Sequence, residues 1–157
     1  MKQNNLDKKI KELKSKNLAK NFQVSFSDII KYLNRAKKEL IIAHKNIKID
    51  KNTSCVLIYQ SMLKVGRCLM FSYHLRPIDG SQHKTTIEFC EVIIGEKFRQ
   101  LIESFDELRK KRNKFVYDVT EVEISDSELN YYFKEAQKLI ELVDKIIKHK
   151  NPQKELL

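Results

Sequence analysis

Residues 108–118 read LRKKRNKFVYD, and five of these eleven residues are basic. The chemistry they offer is phosphate binding, because a guanidinium is a planar fork that meets two phosphate oxygens at once. At 100° per residue, Phe98, Leu101, Ile102, Phe105, Leu108 and Val116 fall on one helical stripe, and Arg112 lands in its middle. Taking an ionised guanidinium out of water is costly unless it is paired. Either the helix frays before Arg112, or the guanidinium is held by a carboxylate of the same chain, by a second subunit, or by phosphate entering a cleft. Lys110, Lys111 and Lys114 need no such account, since cations suit the C-terminal end of a helix.

Other chemistries leave weaker marks. His44, His74, His83 and His149 are far apart, with neither an H-x-x-x-H nor a cysteine pair to make a metal site. His44 reads as a core or boundary histidine. No glycine-rich loop is present to cradle a nucleotide phosphate, and nothing marks a Ser-His-Asp triad. Tyr131 and Tyr132 can stack on bases, but one of two adjacent helical residues tends toward the core, and that reading is preferred.

The elements that must position Arg112 follow from periodicity. Leu6, Ile10 and Leu13 draw a thin apolar line through a lysine-rich start, a short helix or arm that docks on the body. Ser25 with Asp28 makes a capping pair opening a helix through Phe26, Ile29, Ile30, Leu33, Ala36, Leu40, Ile41 and Ile47. From Thr53 to about Leu75 the apolar arc widens through Cys55, Ile58, Tyr59, Met62, Val65 and Leu69, which predicts a helix central to a bundle. RPIDG at 76–80 stops it with a proline and an Asp-Gly turn. Thr85 with Glu88 reads as a second capping pair, Gly95 as a divider, and Ser125 with Glu128 as the start of a last helix through Val143 and Ile147.

With 157 residues, only three glycines and two prolines, the chain predicts an all-α fold. The expected form is an antiparallel bundle of four main helices with short accessory helices. Its organisation reads as a basic arm over 1–22, a bundle over 23–150 and a tail over 151–157. Hydrophobic residues at 41% and charged residues at 33% fit a globular chain, and no apolar run is long enough to span a bilayer. The lysine-rich opening lacks an apolar signal region, and Cys55, Cys68 and Cys90 lack metal-ligand spacing, so reduced thiols and a cytoplasmic setting are expected. The net charge of +10 suits a nucleic-acid partner, and equally a lysine-rich surface that only keeps the protein dissolved.

The order of these pieces resembles a HEPN domain. HKTTIEF (83–89), FDELRKKRNKFVYD (105–118) and SDSELNYYFKEAQKLIE (125–141) carry the likeness, with the lysine-rich arm and FSDIIKYLNRAKKEL (26–40) in front. The resemblance implies a helical bundle that pairs as a symmetric homodimer and works on RNA or nucleotide. Many such proteins are metal-independent ribonucleases of toxin–antitoxin, phage-defence or CRISPR systems, with a motif of arginine, a polar residue, three more residues and histidine. Arg112 takes the arginine place and Asn113 the polar place, and the two motifs of a dimer would face one cleft. Arg109, Lys110, Lys111 and Lys114 would then contact RNA. No cofactor or metal is implied. Tyr117 stands where the histidine would be.

That departure matters, because a phenol with a reference pKa of about 10 is a poor base at neutral pH. Tyr117 would act as an acid or orienting hydroxyl, as a structural phenol across the dimer, or as a site of nucleotide transfer. His83 could substitute for the missing histidine, although a role as a helix-start residue is preferred. Cleavage is therefore left open, with efficient cleavage disfavoured. The competing expectation is a module without catalysis that binds a partner such as a nucleotidyltransferase, or a motif that only joins the dimer.

Overall fold

A computed structural model describes residues 2–78, 82–118 and 123–151. Six helices, α1 (Lys2–Ser15), α2 (Phe26–Asn46), α3 (Lys51–Ser72), α4 (Gln82–Ile94), α5 (Arg99–Tyr117) and α6 (Asp126–His149), make up most of it. The four long ones are α2, α3, α5 and α6, and the fold is all-α as the composition predicts. One addition escaped the periodicity: strands β1 (Ala19–Asn21) and β2 (Leu75–Pro77) pair antiparallel, with Lys20 opposite Arg76. Three residues per strand are too few to show an alternation in sequence.

The greasy helix α3 sits at the centre and packs against α2, α4, α5 and α6. Its seam with α2 is built from small residues every two turns. Ser54 donates to the Ala43 carbonyl at 2.9 Å, Ser61 to the Ala36 carbonyl at 2.8 Å, and the Cys68 thiol approaches the Ile29 carbonyl at 3.8 Å. As the α3 numbers rise the α2 numbers fall, so the two helices run antiparallel. Small side chains let the backbones approach, and each buried hydroxyl has its partner. All three cysteines are buried, and loss of water pushes each thiol up to about 12.

Capping follows the sequence at two of the three expected places. Ser25 Oγ accepts from the Asp28 amide at 3.0 Å, and Ser125 Oγ from the Glu128 amide at 3.2 Å. The third differs: α4 starts at Gln82, three residues before Thr85, which is a buried interior residue. Glu88 instead reaches Lys9 of α1 at 3.0 Å. That ion pair, with Leu6 and Leu13 buried, seats the arm against α4. Gly95 divides α4 from the turn leading into α5, and its φ of +87° is a conformation that suits glycine. Asp79 and Gly80 of the expected turn, residues 119–122, and the tail beyond 151 lie outside the described residues.

Gly66 fixes how α4 lies on α3. A Cβ there would sit 2.6 Å from the Thr86 methyl and 3.1 Å from Cys90 Sγ, so only a bare backbone admits this contact. The close approach sets the first turn of α4 beside Tyr59 and Arg67 of α3. Two expectations about apolar faces are corrected. Ile41 is 56% exposed, and Val116 is 45% exposed because α5 runs past the end of the core. Among the described residues no helix is long and apolar enough to cross a membrane.

Candidate functional site

Helix α5 does not fray before Arg112; it continues to Tyr117. The guanidinium is half-buried between two phenol rings, 6.0 Å from the Tyr59 centroid and 5.6 Å from that of Tyr117. One terminal nitrogen donates to Asn113 Oδ1 at 3.2 Å. Its Nε is shielded from water and has no hydrogen-bond partner. Stranding a buried donor costs about 1–3 kcal/mol. Among the described residues Arg112 has no carboxylate partner.

The other basic residues of the stretch are differently placed. Arg109 donates to Asp106 Oδ1 at 2.8 Å, and Lys110 lies 3.4 Å from the same carboxylate. Lys111 forms a 3.0 Å ion pair with Glu128 of α6. Of the four bases expected to contact RNA, Lys114 alone is exposed without an ion pair among the described residues. Asn113 is half-buried beside Arg112, and Tyr117 is 73% exposed. The structure thus brings Arg112, Asn113 and Tyr117 together at the free end of α5 and ties Arg109, Lys110 and Lys111 into intrachain pairs.

Sequence reading picked out His83 as a possible stand-in but missed what holds it. Tyr59 is fully buried in α3, yet its hydroxyl lies 2.8 Å from Nδ1 of His83 in the first turn of α4. Arg67, one α3 residue beyond Gly66, bonds Gln82 Oε1 at 3.4 Å and has no carboxylate partner among the described residues. Burial holds the His83 imidazole below its ordinary pKa, and the positive charges of Arg67, Arg112 and Arg109 add to this. Burial pushes the Tyr59 phenol up, so it stays protonated. The signal was faint, since Tyr59, Arg67, His83 and Arg112 come from three helices with no local motif. The apolar-face position of Arg112 and the likeness that singled out His83 pointed here; nothing pointed to Tyr59 or Arg67.

Elsewhere the singled-out residues do other work. Tyr132 enters the core, while Tyr131 bonds Ser104 Oγ at 2.6 Å. His44, expected at the core or its boundary, is exposed and lies against Phe133 with centroids 4.8 Å apart. Among the described residues no three His, Cys, Asp or Glu side chains are grouped to hold a metal.

Comparison with known families gives one match: the model described as HEPN domain, over residues 29–151. No curated protein matches the chain.

Proposed function

The chain belongs to the HEPN domain family, and on that premise we propose that it binds RNA or nucleotide phosphates at the Arg112 end of α5. Membership supports a nucleotide- or RNA-related role of this general kind. The carrying observation is the half-buried Arg112 guanidinium, which has no carboxylate partner among the described residues. A phosphate oxygen meets its terminal nitrogens in a charge-assisted bond. Asn113 orients the guanidinium, and Lys114 adds charge at the rim. The working unit is a homodimer in which the exposed Val116 and Tyr117 of each copy border a shared cleft, and the setting is a toxin–antitoxin or phage-defence system.

A second reading draws on the same two exposed side chains. Val116 and Tyr117 also suit a protein partner such as a nucleotidyltransferase, bound without any catalysis.

The test is fluorescence anisotropy with a short labelled single-stranded RNA at several salt concentrations, with sedimentation run alongside. Wild type should bind, and its affinity should fall with salt in proportion to the phosphates neutralised. Arg112→Ala should bind about tenfold to a hundredfold more weakly, the worth of a charge-assisted hydrogen bond. Equal affinities for the two proteins would overturn the reading.

A further inference from the structure

We propose that His83, and not Tyr117, is the catalytic residue that moves the proton at a phosphodiester held by Arg67 and Arg112. This rests on the phosphate-binding reading above.

Two half-buried arginines without carboxylate partners among the described residues flank one imidazole at the start of α4: Arg112 lies 6.0 Å from the ring of Tyr59, whose hydroxyl meets His83, and Arg67 bonds Gln82 next to it. Arg109 stands in the same group but is already bound to Asp106. The 2.8 Å contact with Tyr59 uses Nδ1 of His83, and among the described residues nothing bonds Nε2. His83 is half-buried, with Nδ1 held against the hydroxyl of the buried Tyr59. This division suits a proton carrier, with one nitrogen fixing the ring and the other open to the reactant.

The anchor is a phenol, which can accept as well as donate. When Nδ1–H donates to the Tyr59 oxygen, Nε2 carries the lone pair and the ring is ready as a base. A carboxylate at this place would favour the charged imidazolium; a protonated, buried phenol leaves the imidazole neutral. The cations around it act in the same direction. The charged and titratable groups around His83 are Tyr59 and Arg67 from α3 and Arg112 and Arg109 from α5, and Asp106, which acts on Tyr59, is bound to Arg109. Tyr59 is thus a positioning residue.

The substrate class is a phosphodiester with a neighbouring hydroxyl, which means RNA. Nε2 takes the proton of the 2′-hydroxyl, and that oxygen forms a new bond to phosphorus. The bond from phosphorus to the 5′-oxygen breaks, its electron pair stays on that oxygen, and water supplies the proton it needs. His83 then returns its proton to solvent. The products are a 2′,3′-cyclic phosphate and a 5′-hydroxyl end. Arg67 and Arg112 neutralise the charge that grows on the phosphate oxygens.

The experiment incubates full-length protein with labelled RNA in chelator, reading binding, cleavage rate and end chemistry for each variant, with melting curves to establish folding. Wild type should yield cyclic phosphate ends. His83→Gln should bind RNA as wild type does yet cleave about a hundredfold more slowly or less. Tyr117→Phe should keep the acidic limb of the wild-type pH profile in place, whatever it does to the rate. The wild-type rate should fall on acidification, through a pKa below the ordinary histidine value of about 6.5, because the protonated ring cannot accept. Tyr59→Phe should move that acidic limb, which simple destabilisation would not. If His83→Gln does not fold, the pH profile decides, and a rate with no acidic limb down to the pH at which the protein unfolds overturns the proposal. Cleavage by folded His83→Gln at the wild-type rate also overturns it. Binding without cleavage by wild type removes the His83 assignment and leaves the binding reading standing; absence of binding removes both.

Discussion

The two halves of α5 share one helix and one face but follow opposite rules. In the first half Leu101, Ile102, Phe105 and Leu108 are buried, and the Ser104 hydroxyl bonds both the Gln100 carbonyl and Tyr131. Two turns beyond Phe105, the same face presents Arg112 with a shielded and unpartnered Nε. Past it, Val116 and Tyr117 stand exposed. The first half satisfies every requirement of a core. The second half violates several at once, in one place. These departures gather at one spot beside the Tyr59–His83 contact, and a fold selected for stability alone would have filled position 112 with an apolar residue.

Substitutions on the two halves should therefore diverge, and the largest effect belongs to the first. Phe105→Ala removes a fully buried ring that lies 5.9 Å from Tyr59. It should cost about 3–5 kcal/mol, seen as a large drop in the denaturant midpoint. A loss under about 1 kcal/mol would mean that the core does not reach this turn.

Arg112→Met, on the same face, should reverse the sign. It removes the stranded donor and keeps the side-chain bulk, so the denaturant midpoint should stay level or rise, by about 1 kcal/mol at most. RNA affinity should fall at the same time. A clear loss of stability would identify Arg112 as a structural residue and blur the distinction between the halves.

The smallest effect is expected at the tip. Val116→Ser should change monomer stability by no more than about 0.5 kcal/mol. Sedimentation should nonetheless show weakened self-association if this face joins two copies. Unchanged self-association would move the dimer contact elsewhere.

Much of the fold could be read in advance, for identifiable reasons. The apolar arc of α3 and the serine caps at Ser25 and Ser125 are local patterns, and local patterns survive folding. The start of α4 was misplaced because Thr85 and Glu88 have the spacing of a capping pair, while tertiary packing buried the threonine and gave the glutamate to Lys9. Val116 misled because periodicity describes a face and says nothing of where the neighbouring helices end. The site divides in the same way. Arg112 was conspicuous because its charge contradicts its stripe. The contact of Tyr59 with His83 spans 24 residues, and Arg67 joins it only because Gly66 lets α4 approach α3; no short motif carries that information.

The most direct measurement is the Nε–H resonance of Arg112 in a proton–nitrogen correlation spectrum, assigned by its loss in Arg112→Lys and followed as a short RNA is added. The account predicts that this one signal moves and saturates along with binding, as the Arg112 guanidinium gains a phosphate acceptor. A resonance that stays in place while RNA binds elsewhere would contradict it.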